Sequence, residues 1–270
     1  MKILVLGGGN DQIRLVEKLK TRGAWVGIVD YNKKPIAASC ADQHFHESTL
    51  DYKAVMNIAQ NLHTDRVITA CTDQALLTAA KVSEDLGLFF PLKYRIALNL
   101  TNKKWMKGIL CKAEIPTANY KILNYFNENE LSHLKYPLVF KPVDSNSSKG
   151  VTKALVPLEA FSAYSNALKQ SRSGEVICEE YISGQEISVD GFVVGGKATL
   201  LMMSVSEKLG GNRNDFPICR SIVPAIISSI AKKRIENILQ QIADAFELVD
   251  TPLLVQCIVW RRCQGTGVER

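Results

Sequence analysis

YPLVFKPVDSNSSKGV, residues 136–151, is the stretch on which the fold turns. Its apolar run Pro137–Phe140 has the composition of a buried strand and delivers one cation, Lys141, at its end. The chain then breaks into a small polar loop, Asp144–Lys149, closed by Gly150. A strand followed by a Ser/Gly loop offers backbone N–H groups and hydroxyls where a chain of phosphates would lie. The answering stretch is VICEEYISGQEISVDG, residues 176–191, a second β-rich run with paired carboxylates, Glu179 and Glu180, and a third, Glu186, beyond a Ser-Gly turn. Lysine meets phosphate as a compact point charge, and a glutamate accepts from ribose hydroxyls or from an amino group. A cation and hydroxyls on one strand, with acids on another, suit a nucleotide.

Together KPVDSNSSKGV and EEYISGQE resemble the ATP-grasp superfamily, in particular its carboxylate–amine ligases and the synthetase halves of carbamoyl-phosphate synthetase and biotin carboxylase. The resemblance implies an α/β chain. An N-terminal Rossmann-like (pre-ATP-grasp) parallel sheet takes residues 1–97, and an α+β ATP-grasp domain takes 98–270. Within the latter, a lid subdomain spans about 115–185 and a second subdomain 186–270.

The same resemblance distributes roles. Lys103, in TNKKWMK, stands for a lysine that reaches the nucleotide phosphates, with Asn102 where the family has an acid. Lys141, Ser147, Ser148 and Gly150 complete the phosphate side. Glu179, with Glu180 beside it, contacts the adenine amino group, Tyr181 and Ile182 lend backbone groups to the ring edge, and Glu186 takes the ribose hydroxyls. Val139, Ile177 and Leu254 are candidate apolar walls. Arg220, in a polar stretch after Ser206, is the cation for an acyl phosphate or a substrate carboxylate. Gln256 and Glu269 fall where magnesium ligands belong, but no asparagine follows Glu269, and Trp260–Gly267 lacks a strand pattern. The second sheet is therefore expected to be incomplete at its C-terminal end. The implied activity is ATP-dependent: a carboxylate is activated as an acyl phosphate and attacked by an amine. The alternative is a truncated, catalytically impaired nucleotide-binding fragment of such an enzyme.

Composition agrees with this class. With 46% hydrophobic and 22% charged residues, the 270-residue chain reads as an ordinary globular protein with room for two domains. The net charge of +6 comes without a Lys/Arg block of nucleic-acid type, and fits an anionic ligand or a plain solvated surface. Seven cysteines without CxxC pairs suggest neither a disulfide framework nor a zinc site. No apolar run approaches the roughly 18–20 residues of a membrane span. The expected setting is cytoplasmic, the expected partners are ATP, Mg²⁺ and small carboxylate and amine substrates, and a homodimer is the expected assembly if one forms.

The first thirty residues carry a competing signal. MKILVLGGG, a helix pattern and a strand ending in Asp30 look like a dinucleotide site. Gln12, however, stands where the third glycine of that motif belongs. Further on, helices are expected at Tyr52–Leu62, Gln74–Leu86, Leu98–Leu110, Asn129–Leu134, Leu158–Lys169 and Ala231–Phe246. Strands are expected at Arg66–Ala70, Val176–Ile182 and Pro252–Val259, with a hairpin turning at Gly195-Gly196. Ser206–Cys219 is expected to be a long polar loop.

Overall fold

The computed structural model describes residues 1–145, 148–208 and 218–259. The chain divides into two compact units, Met1–Asn102 and Lys103–Arg270.

The first unit is built on a parallel sheet. Strands β1 (Lys2–Leu6), β2 (Trp25–Val29), β3 (Gln43–Phe45) and β4 (Arg66–Thr69) lie in the order β3-β2-β1-β4, all parallel. Helices α1 (Ile13–Thr21), α2 (Tyr52–Leu62), α3 (Asp73–Asp85) and α4 (Tyr94–Thr101) complete the unit. The unbroken apolar run of β1 is what a strand covered on both faces needs. Leu4 and Leu6 pack with Val55 and Ala59 of α2 and with Ala79 of α3, while Ile3 and Val5 pack with Val16 of α1.

The dinucleotide-like signal has a structural use here. Buried Asp30 accepts the Gly8 N–H at 2.8 Å and the Asn32 N–H at 2.8 Å, so each of its carboxylate oxygens already holds a turn. Gln12 is buried beside Gly7 and donates to the Ala70 carbonyl at 2.5 Å. Thr72 is the residue before α3, but its hydroxyl bonds the Ala70 carbonyl rather than capping the helix.

The second unit opens with α5 (Lys103–Lys112). The single helix expected over Leu98–Leu110 is in fact two, because Asn102 is extended (φ −104°, ψ 116°) and the Lys103 N–H bonds the Val143 carbonyl instead of continuing the helix. Strands β5 (Tyr120–Leu123), β6 (Leu138–Pro142), β7 (Thr152–Ala154) and β8 (Val176–Glu180) make an antiparallel sheet ordered β5-β8-β6-β7, with α6 (Ala160–Gln170) on one face. Leu138, Phe140, Val176 and Cys178 turn toward α6 and are buried with Ala163, Tyr164 and Ala167. The helix expected at Asn129–Leu134 is only a single 3-10 turn, Glu128–Leu131.

A second antiparallel sheet, ordered β11-β10-β9-β12, joins β9 (Gln185–Val194), β10 (Lys197–Lys208), β11 (Ile218–Ile222) and β12 (Thr251–Val259), with α7 (Ser229–Ala245) against it. The β9–β10 hairpin turns at Gly195 and Gly196, whose φ values of 55° and 81° fit the twist of a tight hairpin. Alternation along β9 is strict: Ile187, Val189 and Val193 are buried, and Gly191 lies beneath Leu239 of α7. Both described ends of the expected polar loop Ser206–Cys219 are strand, since β10 runs on to Lys208 and Ile218–Ile222 pairs with it as β11. Arg220 thus stands on a strand rather than in a loop. The rest of that stretch, with Trp260–Arg270, lies outside the described residues.

Two glycines make opposite predictions. A Cβ on Gly191 would sit 2.9 Å from Leu239 Cδ2 and 3.0 Å from the Thr199 carbonyl oxygen, which the hairpin holds in place. Gly191→Ala should therefore cost about 1–3 kcal/mol by overpacking. Gly108, inside α5, faces open space, and Gly108→Ala should add roughly 0.5–1 kcal/mol through helix propensity. Urea midpoints of the two variants, read against the parent, check both signs.

Candidate functional site

The β5-β8-β6-β7 sheet buries one face under α6 and turns the other elsewhere. Strand alternation puts Val139, Lys141, Ile177 and Glu179 on that second face, opposite to Phe140 and Cys178. Lys141 follows Phe140, fully buried, so the position of its backbone is set by the core beneath. Glu179 lies on the adjacent strand, paired in register with Val139 and with Tyr120 of β5.

Between these strands sits a buried ionic cluster. Lys141 Nζ donates to Glu179 Oε2 at 2.8 Å. Lys107, one helical turn along α5 from Lys103, reaches the other oxygen, Oε1, at 3.4 Å and donates to Thr117 Oγ1 at 2.5 Å. The side chains of Lys107 and Glu179 are only 8% and 10% exposed, and that of Lys141 26%. Burial by itself would raise the Glu179 carboxyl, but the ammonium groups of Lys141 and Lys107 outweigh it and hold it below the usual glutamate value. Burial pushes Lys107 below the usual lysine value, partly offset by the Glu179 charge and reinforced by Lys141.

Two further lysines of α5 reach residues that flank these strands. Lys103 Nζ donates to the Ser145 carbonyl at 2.6 Å, and Lys104 meets Glu175, just before β8, at 2.6 Å. The base of the polar loop is pinned by Asp144, whose carboxylate accepts the N–H groups of Arg172 (3.1 Å) and Ser173 (2.7 Å). Ser148 (φ 57°) and Gly150 (φ 72°) both take left-handed backbone, and a Cβ on Gly150 would meet Gln170 Cβ at 2.9 Å. Only glycine meets both demands at position 150. Ser147 lies outside the described residues.

Beyond Glu179 the strand end is tied down. Glu180 accepts from Asn119 Nδ2 at 2.9 Å and from the Lys135 N–H at 2.8 Å. The Tyr181 N–H is donated to the Pro137 carbonyl at 2.9 Å. Tyr181 and Ile182 are exposed, and Lys153 stands 4.2 Å from the Tyr181 ring centroid. On the second sheet, Glu186 pairs with Lys208 at 2.5 Å, and Gln256 lies opposite Ser188 in register. Arg220 and Glu207 face each other across β10 and β11, with Nε at 2.9 Å and Nη2 at 2.6 Å from one carboxylate oxygen. Leu254 is 62% exposed, unlike Val139 and Ile177, which are buried. Glu269 lies outside the described residues.

Thus Lys141 and Glu179 are brought into contact, with Lys103 of α5 bonded to the neighbouring loop. Lys107 was not singled out by the sequence reading. Its signal was the four-residue spacing from Lys103, which places both on one helix face.

A stability measurement probes the cluster. A carboxyl whose folded pKa is depressed stabilises the fold above its unfolded value near 4.5, and that contribution is lost as pH falls through the lower folded value. Glu179→Gln should lower stability at neutral pH by on the order of 3 kcal/mol, because two ammonium groups lose their counter-ion. The deficit against the parent should shrink as both are titrated below the usual glutamate range. Denaturant midpoints across that pH range give the comparison, and a pH-independent deficit would contradict the assignment.

Comparison with known proteins places this arrangement. The formate-dependent phosphoribosylglycinamide formyltransferase of Prochlorococcus marinus is 29% identical over 189 residues, covering 67% of this chain and 48% of that protein. The chain spans about half the length of the first curated relatives it matches. In structure it is similar to the L-amino acid ligase of Bacillus licheniformis, with a TM-score of 0.77 at 19% identity, over 96% of this chain and 64% of that one. It is similar also to the biotin carboxylase domain of the Hydrogenobacter thermophilus 2-oxoglutarate carboxylase, solved with MgADP, with a TM-score of 0.79 at 15% identity, over 97% of this chain and 64% of that one. At such identities these likenesses carry the fold: a parallel N-terminal sheet followed by two antiparallel sheets. The family model described as "Phosphoribosylglycinamide synthetase, ATP-grasp (A) domain" matches residues 101–253, more than half of the chain and all of the ionic cluster, and the protein belongs to that ATP-grasp family.

Proposed function

We propose that this chain carries the nucleotide site of an ATP-dependent ligase that activates a carboxylate as an acyl phosphate for attack by an amine, forming a C–N bond. The observation that carries the reading is the buried Lys107–Glu179–Lys141 cluster on the face of the sheet turned away from α6. Two ammonium groups share one carboxylate there, and Lys103 adds a third cation nearby. That surplus of positive charge suits a polyphosphate.

In this reading the β5-β8-β6-β7 sheet is the lid. Lys141 and Lys103 neutralise phosphate charge, and the Ser148–Gly150 turn supplies backbone donors over it. Val139 and Ile177 form the apolar wall of the base, the Tyr181 carbonyl and Ile182 meet its edge, and Glu186 exchanges Lys208 for the ribose hydroxyls. Arg220 is placed to leave Glu207 for a substrate carboxylate or acyl phosphate. The protein's share of phosphoryl transfer is positioning and charge neutralisation, so no side-chain nucleophile is required. The relatives' names and the MgADP of the biotin carboxylase domain support this direction. Magnesium belongs to the same reading. Among the described residues, however, no group of three or more His, Cys, Asp or Glu side chains could hold a metal, and no step is assigned to it. No helix among the described residues is long and apolar enough to cross a membrane, in keeping with a cytoplasmic setting.

Thermal denaturation with ATP and Mg²⁺ tests the site. Saturating nucleotide should raise the melting temperature by a few degrees, and Lys141→Ala should abolish that rise. Absence of any shift in the parent protein would remove the nucleotide reading. Phosphate release from ATP in the presence of mixed carboxylic and amino acids tests the ligase half of the proposal, and silence across all mixtures would leave binding without activation.

A further inference from the structure

We infer that Lys107 is a positioning residue of the nucleotide site: its ammonium occupies Glu179 Oε1, so that Glu179 presents Oε2 to Lys141 and fixes the Lys141 side chain where it meets the nucleotide. The inference rests on the nucleotide reading of Lys141.

The geometry is a relay across three elements. Lys107 projects from α5, Glu179 from β8 and Lys141 from the end of β6. Thr117 Oγ1, 2.5 Å from Lys107 Nζ, holds the head of the relay. The two oxygens of a carboxylate are set at a fixed angle, so a cation on Oε1 limits rotation of the group and aims Oε2. Lys141 is long and has several rotatable bonds, and a point-charge ligand gains affinity when such freedom is removed beforehand.

Packing does not explain a lysine here. Lysine is almost never fully buried unless paired, yet Lys107 is 6% exposed. An apolar side chain would fill the same helix–sheet contact without the cost of removing an ion from water. That cost has a return only if the charge acts on its neighbours. The groups facing Lys107 are Glu179 on β8, Lys141 on β6, the ring of Tyr120 on β5 (centroid at 5.8 Å) and Cys111 one turn along α5. Glu179 and Cys111 favour its charged form, whereas burial and Lys141 oppose it.

The sign of the pH effect follows. Lys107 gives up its proton at a pH below the ordinary lysine value of 10.5, and once neutral it no longer holds Oε1. Nucleotide affinity should then weaken as pH rises through the range in which Lys107 loses its charge.

The experiment measures ATP affinity by titration calorimetry from about pH 7 to about pH 10 on the parent, Lys107→Met and Lys107→Arg. The parent should lose affinity across the upper part of that range. Lys107→Met should bind about tenfold more weakly at neutral pH and show no loss in that window. Lys107→Arg, always charged, should retain affinity near the parent's, with the loss moved to higher pH. Three results overturn the proposal: parent-like affinity and profile in Lys107→Met, Met-like weakness in Lys107→Arg, or a parent whose affinity does not fall. Should Lys107→Met fail to fold, an identical pH profile in the parent and Lys107→Arg overturns it alone. A parent that binds no ATP at any pH removes the nucleotide site itself, and the relay with it.

Discussion

A carboxylate almost sealed from water between two ammonium groups is the constraint on which the second unit depends. Glu179 joins α5 to the strand pair β6–β8 at its buried centre, and the Lys103 N–H to Val143 carbonyl bond and the Lys104–Glu175 pair cross the same junction beside it. Two unit charges 4 Å apart attract by about 4 kcal/mol at an effective dielectric of 20. Each ion brought out of water costs several kcal/mol, so the cluster is a weak device for stability taken alone. Three charges for one junction make better sense as a site held ready for an anion. Perturbed pairs of this kind gather at functional positions, and this one lies within the segment that the ATP-grasp family model covers.

The two sheets of that unit share one design. Each buries a face under one helix, α6 or α7, and on the other face sets charged groups among apolar ones: Lys141 and Glu179 with Val139 and Ile177 on the first sheet, Glu186 opposite Ile258 on the second. Period-two alternation makes the choice of face all or nothing, because a slip of one residue would send Lys141 and Glu179 into the α6 core and bring Phe140 out. The core beneath Phe140 and Cys178 therefore also sets the aim of the ionic side chains. Gly191 serves the second sheet similarly, letting Leu239 of α7 approach the strand closely.

Much of this was legible in the chain. β1, β2, α2, the Gly195-Gly196 hairpin, α7 and the strand carrying Lys141 all follow from apolar period and turn residues. Lys107 was legible only as a face-mate of Lys103, because a lysine among lysines on a helix reads as a wet face, and its burial comes from strands lying far along the chain. The break at Asn102 was hidden for a related reason: the Lys103 N–H finds its partner at Val143, a tertiary acceptor that no local propensity records. β11 escaped notice since Ile218–Ile222 is short and exposed, and a strand at a sheet edge needs no buried face to announce it. The glycines after β1 carried a competing signal that Gln12 already weakened. Their turn is real, but Asp30 is taken up by the Gly8 N–H and Gln12 by the Ala70 carbonyl.

The ion pairs of the chain fall into two kinds, and the difference bears on how the site would work. Arg220 and Glu207 are 67% and 40% exposed, and a pair so open to water contributes roughly 0–1 kcal/mol. Such a pair can exchange one partner for an incoming anion at little cost. Glu186 and Lys208, 21% and 31% exposed, lie between the extremes. The Lys107–Glu179 contact cannot open that way, since Lys107 would be left a buried cation without a counter-ion while Glu179 stayed with Lys141. In the proposed reading, fixed charges at the strand junction and exchangeable charges on the second sheet would divide the work that phosphoryl transfer asks of a protein. One set must hold its geometry, while the other must let go of its own counter-ion when substrate arrives.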